Sequence, residues 1–187
     1  MRAINLLAIS GSVRPDSSNT NILRTMASLA PADVMFNFFE GLMTLPHFDP
    51  VATEGDTAVA NFRQLLRGAD GVVICTPEYA FGVPGVLKNA LDWVVSSGEF
   101  NEKPVAVISA SPLPSGGDKA LASLLLTMTA LGTMTDSSNM TLSIAGIKKK
   151  INEHGDVTDP QTLQALRYVL EKLIETICRH DRQRELM

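Results

Sequence analysis

A short segment near the start of the chain gathers side chains that suit a phosphate group. The run from Gly11 to Thr20 contains three serines, a threonine, an asparagine and an arginine, namely Ser12, Ser17, Ser18, Thr20, Asn19 and Arg14. A phosphate dianion needs convergent hydrogen-bond donors and the positive end of a helix dipole, and a guanidinium adds a charge-assisted, bidentate contact. An ordinary helix N-cap, the alternative, would use only one or two of these residues. We therefore expect an anion site here.

The same segment matches neither of the two common nucleotide fingerprints. It has no G-x-x-x-x-G-K-[ST] run, which argues against a cradle for the phosphates of ATP or GTP. It also has no G-x-G-x-x-G run, which argues against a Rossmann dinucleotide site. A single phosphate group suits the segment better than a chain of phosphates.

Two later segments have the composition of ligand-binding loops. Residues 76–85 contain two prolines and two glycines, which favour an extended edge, together with Tyr79 and Phe81. The two aromatic rings could stack on a flat ligand or, alternatively, fill a core. Residues 109–117 are mostly small, so backbone N–H groups there can approach a ligand closely.

Alternating strands and helices bring these segments together. Apolar runs predict strands at 3–9, 34–39, 70–76 and 103–109, and a fifth within 134–144. Helical spacing predicts helices at 17–30, 57–67, 84–95 and 117–131 and a last one from Asp159-Pro160 onward, with a loop at 42–56. This order predicts one α/β domain over residues 1–187, with a doubly wound parallel sheet and helices on both faces. Ligands bind such sheets beyond the carboxyl ends of the strands, where the three segments lie.

The composition restricts the partners of the chain. Its 187 residues are 45% apolar and carry a net charge of −4 without a basic stripe, so we expect a globular protein and no nucleic-acid partner. We interpret the Lys148-Lys149-Lys150 run as a solvated loop. The apolar window 121–131 is too short to span a bilayer, and the first residues lack the features of a signal peptide. We therefore expect no membrane partner.

The two cysteines, Cys75 and Cys178, lie far apart and form no C-x-x-C motif. This spacing argues against a disulfide framework or a zinc site and is typical of a reducing cytoplasm. Cys75 ends an apolar run, so we interpret it as a small buried residue rather than a nucleophile.

Three stretches of the sequence resemble one known family. They are Gly11-Ser12-Val13-Arg14 with Ser17 and Asn19 after it, Thr76-Pro77-Glu78-Tyr79, and the run from Pro84 to Trp93. Together they are similar to the NADPH-dependent FMN reductases, which include quinone, chromate and azo-dye reductases of flavodoxin-like fold. The resemblance covers Leu7 to about Gly132 and includes Leu45 to Asp49, which is similar to the family's loop after the second strand.

The resemblance implies a fold, a cofactor and the residues that hold it. The fold would be a flavodoxin-like three-layer α/β/α sandwich with a five-stranded parallel sheet in the order 2-1-3-4-5. The FMN phosphate would be held by Ser12, Arg14, Ser17 and Asn19, with Ser18 and Thr20 nearby. Pro77, Glu78, Tyr79 and Ala80 would line the edge of the isoalloxazine ring, and Ser111, Gly116 and Gly117 would flank its other side. Ala80 stands where the family usually has asparagine, and Phe81-Gly82 replaces a more polar pair.

The implied activity is that of an NAD(P)H oxidoreductase. FMN would carry hydride in a ping-pong cycle from NADPH or NADH to quinones, flavins or similar diffusible small-molecule acceptors. This chemistry needs no acid–base side chain, so no catalytic residue and no metal ligand are predicted. Two alternatives stay open, a flavodoxin-like electron carrier and an FMN-binding module without turnover. A charge of only −4 argues against the carrier, whereas Ala80 and the prolines of the third loop keep the module open.

The helix predicted from Pro84 to Val95 carries apolar residues on more than one face. We expect part of this apolar surface to be buried in a subunit contact. The resemblance likewise implies a homodimer or homotetramer through this helix. The alternative is a monomer in which Trp93 is partly exposed.

Overall fold

The structure is a computed structural model that describes residues 2–51 and 56–185. Its strands are β1 (Ile4–Ser10), β2 (Val34–Phe39), β3 (Gly71–Thr76), β4 (Val105–Ser111) and β5 (Thr141–Ala145). They form one parallel sheet in the order β2-β1-β3-β4-β5. The predicted α/β class and strand order are confirmed.

Helices cover both faces of this sheet. They are α1 (Ser18–Leu29), α2 (Thr57–Gly68), α3 (Gly85–Asp92), α4 (Asp118–Ala130) and α5 (Pro160–Glu185). The helices α1 and α5 pack on one face, with Ile22 and Leu170 in the core, and α2, α3 and α4 pack on the other, with Phe62, Leu91 and Leu124 in the core. These layers form the three-layer sandwich that the resemblance implies. None of the described helices combines the length and the apolar character that a bilayer crossing requires.

Burial differs between the central and the edge strands. The strands β3 and β4 lie inside the sheet and are buried along their full length, which explains their nearly continuous apolar sequences. The edge strand β5 is only partly buried, and its polar residues Thr141 and Ser143 alternate with Leu142 and Ile144. This short, mixed pattern is the reason that the sequence does not define the bounds of β5.

The strand β4 lies two residues beyond its predicted position. Lys103 precedes the strand because its ammonium group donates to the carbonyls of Leu66 and Ala69 at the end of α2, at 2.8 and 2.6 Å. At the other end, pairing with β5 continues to Ser111, which lies opposite Ala145. The strand therefore reaches further into the ligand-binding edge than its sequence indicates.

The predicted loop 42–56 is partly a packed segment. Residues 52–55 lie outside the described part of the chain. Before them, Leu42 and Leu45 are buried in the same core as Phe62. After them, Asp56 caps α2 by accepting hydrogen bonds from the N–H groups of Ala58 and Val59 at 2.8 and 3.1 Å. The end of the segment thus caps α2, and its beginning covers the core.

The lysine run also differs in part from its interpretation as a solvated loop. Residues Ile147–Lys149 form a short 3-10 turn in which Lys148 and Lys149 are exposed. Lys150 is half-buried, and its ammonium group donates to Thr162 Oγ1 at 3.1 Å. Two of the three lysines are therefore solvated, and the third anchors the start of α5.

Candidate cofactor-binding site

The three predicted ligand-binding segments lie together at the carboxyl edge of the sheet. They follow β1, β3 and β4, which are neighbours in the strand order. Gly11 joins the first two segments, because its N–H donates to the carbonyl of Cys75 at 2.8 Å. A Cβ at Gly11 would lie only 2.8 Å from Thr76 Oγ1, so this approach requires glycine. The connections reverse direction between β1 and β3, which makes this edge the switch point of the fold.

The first loop leads into a helix N-terminus with buried polar side chains. Ser17 is the N-cap of α1, and its Oγ accepts a hydrogen bond from the N–H of Asn19 at 3.2 Å. The other buried members of the loop are Ser12, Ser18 and Asn19, each less than a tenth exposed. Buried polar groups need hydrogen-bond partners. The N-cap alternative accounts for Ser17 alone, so the other polar side chains of the loop need partners of their own.

Backbone N–H groups of this loop are available for an anion. Within the described residues, the N–H groups of Val13, Asp16, Ser17, Ser18 and Thr20 have no acceptor at hydrogen-bond distance. Those of Ser18 and Thr20 belong to the first turn of α1, where the helix dipole favours negative charge. A phosphate group, with several acceptor oxygens, satisfies such a donor set. The loop therefore fits the phosphate of FMN.

Hydrogen bonds between hydroxyl and backbone groups stabilise the conformation of the first loop. Thr20 Oγ1 donates to Ser10 Oγ at 2.8 Å, and Ser10 Oγ donates to the carbonyl of Ser12 at 3.2 Å. The N–H of Arg14 donates to Ser12 Oγ at 3.4 Å. Two predicted cofactor ligands, Ser12 and Thr20, thus have partners inside the loop. Ser10 is the centre of this network and was not among the predicted site residues, although its position at the end of β1 could have indicated it.

The thiol of Cys75 forms a hydrogen bond with the side chain of Asn19. Cys75 is fully buried at the end of β3, and its thiol donates to Asn19 Oδ1 at 3.3 Å. Burial raises the pKa of the thiol, which keeps it protonated and able to donate. Because Oδ1 accepts from the thiol, the Nδ2 protons of Asn19 are left for another acceptor. Cys75 is buried as predicted, and it also orients a predicted phosphate ligand.

Residues 79–82 of the second loop form a tight turn with strained backbone. The N–H of Tyr79 donates to the carbonyl of Gly82 at 2.9 Å, and the N–H of Gly82 donates to the carbonyl of Tyr79 at 3.0 Å. The two residues between them have positive φ, 49° at Ala80 and 62° at Phe81. Asn-Gly is the preferred pair in such turns, and other residues lose roughly 1–2 kcal/mol in this conformation. Strain of this kind is concentrated at functional sites.

The turn presents its aromatic side chains to solvent. Tyr79 is 52% exposed and Phe81 is 79% exposed. The alternative in which both rings fill a core is therefore wrong. Both rings lie on the loop after β3, beside the phosphate loop, where they can contact a flat ligand.

We expect the double substitution Ala80→Asn, Phe81→Gly to raise the free energy of unfolding by about 1 kcal/mol, because both new residues adopt positive φ more easily. Equilibrium unfolding in urea measures the change. The matched control is Phe81→Ala, which removes the same ring but keeps a Cβ in the left-handed conformation. An equal gain in the control would show that the exposed ring, and not the backbone, is the source of the instability.

The carboxylate of Glu78 connects the second loop to the third. Its Oε2 accepts hydrogen bonds from the N–H groups of Lys119 and Ala120, both at 3.0 Å, in the first turn of α4. A carboxylate is favourable there because it faces the positive end of the helix dipole. The resemblance implies that Pro77 and Glu78 line the ring edge. The carboxylate of Glu78 is bound to α4, which leaves the backbone of Glu78 for that role. The role of Pro77 stays a prediction.

Two glycines allow the third loop to lie against its neighbours. Gly116 and Gly117 have φ of 66° and 83°. A Cβ at Gly116 would collide with Ser143 Oγ and lie 3.0 Å from the backbone nitrogen of Ala145, and one at Gly117 would lie 3.5 Å from the Cβ of Glu78. Within the described residues the N–H of Gly117 has no acceptor, which leaves a donor beside the second loop.

Ser111 differs from the other predicted ligands of this loop. It is buried, and its Oγ accepts a hydrogen bond from the N–H of Leu113 at 3.1 Å. This contact shapes the loop directly after β4. The hydroxyl proton of Ser111 remains a potential donor, so its predicted role in cofactor binding stays a prediction.

The loop after β2 covers the helix that was expected to form a subunit contact. Trp93, directly after α3, is only 8% exposed. Its Nε1 donates to the carbonyl of Pro46 at 2.8 Å, and its ring meets Phe48 edge-on with the ring centres 5.3 Å apart. Asn89 holds the same loop by donating to the Pro46 carbonyl at 2.9 Å. Trp93 is therefore not partly exposed, because the chain covers this residue itself. The subunit contact and its alternative, a monomer, stay predictions.

Both cysteines are free thiols. In the described ranges, 2–51 and 56–185, no group of three or more His, Cys, Asp or Glu side chains is placed to hold a metal ion.

A doubly wound parallel sheet in the order β2-β1-β3-β4-β5, with its candidate ligand-binding loops at the switch point, is typical of the flavodoxin-like class of proteins. Within that class, the chain belongs to the NADPH-dependent FMN reductase family, whose model matches residues 4–146.

Relatives in sequence and in structure agree with this membership. The chain is 32% identical over 170 residues to a quinone reductase of Escherichia coli, covering 87% of this chain and 89% of that protein. It is 39% identical over 113 residues to a 2-hydroxy-1,4-benzoquinone reductase of a Burkholderia species, covering 58% of this chain and 61% of that protein. It is similar in structure to FerB, a flavoenzyme NAD(P)H:(acceptor) oxidoreductase from Paracoccus denitrificans, with a TM-score of 0.83, 27% identity and coverage of 95% and 99%.

Proposed function

We propose that this chain is an FMN-dependent NAD(P)H oxidoreductase that reduces quinones, flavins or similar diffusible acceptors. The observation that carries the proposal is the set of N–H donors at the start of α1, next to the exposed aromatic turn at Tyr79 and Phe81. The names of its relatives, quinone reductase and NAD(P)H:(acceptor) oxidoreductase, support the same activity. The fold alone would not, because flavodoxin-like sheets serve many functions.

Each part of the site has a separate task in this proposal. FMN, when bound, supplies the hydride chemistry, and the protein supplies position and charge. The N–H groups between Val13 and Thr20 bind the phosphate, and exposed Arg14 adds its guanidinium from the rim. The N–H of Gly117, which has no acceptor among the described residues, would be a donor to the bound ring and would stabilise negative charge there, as donors of an oxyanion hole do. No side chain has to transfer a proton, so we assign no catalytic residue.

The exposed turn supports a ping-pong cycle. The exposed rings of Tyr79 and Phe81 form one open surface, which NAD(P)H and the acceptor would occupy one after the other. Small diffusible acceptors suit such a shared, open surface better than a bulky protein partner does.

Steady-state kinetics test the activity and separate it from its alternatives. The FMN-loaded chain is mixed with NADPH and benzoquinone at several concentrations of each, with no other protein present. Parallel lines in double-reciprocal plots are the expected result. An electron carrier would consume no NADPH without a partner reductase, and a non-catalytic module would bind FMN and still show no NADPH oxidation. Intersecting lines would exclude the ping-pong cycle while preserving the activity.

We also propose that the chain forms a homodimer or homotetramer and acts in the cytoplasm. Val95, at the end of the segment Pro84 to Val95, is 58% exposed, and Val86 in the same segment is only half-buried. The two free thiols support a reducing compartment. Sedimentation velocity of the FMN-loaded protein tests the oligomer, and a single species of monomer mass would contradict it.

A further inference from the structure

Exposed apolar side chains are concentrated at the carboxyl edge of the sheet. Most of the large apolar side chains that the described residues leave exposed lie on the loops after β1, β2, β3 and β4, namely Val13, Met43, Phe48, Val51, Tyr79, Phe81 and Leu113. Phe81 has the most exposed aromatic ring among them, at 79%. Apolar groups that gather in this way at one edge of a protein indicate contact with an apolar ligand or partner.

The loops after β3 and β4 offer little positive charge. Residues 76–85 and 109–117 contain one charged side chain, that of Glu78, whose carboxylate is bound to α4. Lys119 follows the second of these loops, and its ammonium group lies 3.6 Å from the carboxylate of Asp118. An anionic acceptor would therefore meet no cationic side chain of these loops, whereas an apolar acceptor would meet aromatic rings.

Phe81 occupies a position that its side chain does not favour. Its φ is 62°, in the left-handed region that asparagine and glycine adopt more easily. Its ring is mostly exposed, so it contributes little to the core that stabilises the fold. Strained residues of this kind are concentrated at functional sites. The ring thus has a cost for the free chain that contact with a ligand would offset.

We propose that Phe81 is a specificity-determining residue, whose ring selects quinones with apolar substituents over anionic acceptors. The inference rests on the proposed function and leaves its redox step unchanged: NAD(P)H, one proton and the quinone give NAD(P)⁺ and the quinol. Contact with Phe81 removes apolar surface from water on both the ring and the bound quinone. An anionic substituent would lose water at the same place without gaining a charged partner.

Two acceptors that share one ring system test this selection. The FMN-loaded wild type, Phe81→Asn and Phe81→Leu are assayed at saturating NADPH with 2-methyl-1,4-naphthoquinone and with 1,4-naphthoquinone-2-sulfonate. In a ping-pong cycle the kcat/KM for an acceptor reports only the half-reaction of that acceptor, so effects on NADPH do not enter. We expect Phe81→Asn to lower the ratio of the two kcat/KM values roughly five- to tenfold, because the aromatic contact is lost. Phe81→Leu keeps an apolar side chain and should lower the ratio less than about twofold.

Met35→Thr is the matched control for these variants. Met35 is 53% exposed and lies near the amino end of β2, at the edge of the sheet opposite to the loops. We expect its ratio of kcat/KM values to equal that of the wild type. An equal ratio in the wild type and Phe81→Asn, or the same fall in Met35→Thr, would overturn the inference.

Calorimetry in the absence of NADPH tests the contact without turnover. 2-Methyl-1,4-naphthoquinone is titrated into the oxidised, FMN-loaded wild type and Phe81→Asn, and sedimentation velocity is measured on both. We expect Phe81→Asn to bind the quinone roughly five times more weakly, with the same mass in solution as the wild type. Equal binding would overturn the inference, and so would dissociation of an oligomer, because the ring would then serve a subunit contact. A wild type that binds the quinone more tightly than Phe81→Asn and yet oxidises no NADPH would refute the proposed function and support the contact.

Discussion

Replacing Arg14 by alanine is expected to weaken FMN binding by about ten- to a hundredfold and to leave the fold intact. A hydrogen bond to a charged group is worth about 1.5–3 kcal/mol, and each 1.4 kcal/mol changes a dissociation constant about tenfold. Arg14 is exposed in the first loop, so its side chain contributes little to the core. Quenching of FMN fluorescence on titration with the FMN-free chain measures the Kd, and urea unfolding of the same sample measures stability.

Arg167→Ala is the matched control for Arg14→Ala. It removes another exposed arginine, which lies on α5 and is not part of the first loop. We expect its Kd for FMN to equal that of the wild type, which excludes a general effect of net charge. Unchanged affinity in Arg14→Ala would refute the role of this residue at the phosphate.

Gly116→Ala is expected to lower the free energy of unfolding by about 2–5 kcal/mol. Two effects add at this position. A left-handed conformation with φ of 66° destabilises a residue with a Cβ by about 1–2 kcal/mol. Crowding in a packed site adds about 1–3 kcal/mol, and here the Cβ would meet Ser143 and the backbone of Ala145. Urea unfolding of the FMN-free proteins measures the total.

Gly98→Ala separates the two effects at Gly116. Gly98 has a similar φ of 76°, and nothing lies within 4 Å of a Cβ built there. Gly98→Ala should therefore lower the free energy of unfolding by only about 1–2 kcal/mol. If both variants lost the same stability, the contact between Gly116 and β5 would not be tight, which would contradict the crowding expected at Ser143 and Ala145.

The main architecture follows from local patterns in the sequence. The buried strands β3 and β4 are nearly continuous apolar runs. The first four predicted helices begin and end within three residues of the observed bounds, and the last begins where predicted. Caps explain some of these limits, as at Ser17 and Asp56, whose side chains accept from the N–H groups of the first helical turn. Such signals lie within a few residues of the feature they define, and for that reason a sequence reveals them. The single-domain organisation of residues 1–187 stays a prediction.

The finer structure of the site depends on contacts between distant residues. Cys75 and Asn19 are 56 residues apart, Glu78 and Lys119 are 41 apart, and Trp93 and Pro46 are 47 apart. Periodicity and composition describe neighbours in sequence, so they give no sign of these pairs. The predicted site residues lie at one edge of the sheet, and their contacts with the cofactor remain predictions.

The turn at Ala80-Phe81 could not be predicted from the sequence, for a different reason. Neither residue is typical of a left-handed conformation, so no local signal predicts the turn. The paired hydrogen bonds between Tyr79 and Gly82 close the turn itself. From outside, the Glu78 carboxylate holds the residue before the turn on α4. Where tertiary contacts override local preference in this way, strain and function often coincide.

The central claim is that this chain binds FMN and passes reducing equivalents from NAD(P)H to a diffusible acceptor without another protein. Its most direct test is the visible spectrum of the FMN-loaded, desalted chain during an anaerobic titration with NADPH and then with benzoquinone. The expected result is a flavin band that survives desalting, bleaches with about one equivalent of NADPH and returns with about one equivalent of quinone. A chain that is colourless after desalting, or a flavin band that NADPH does not bleach, would contradict the claim.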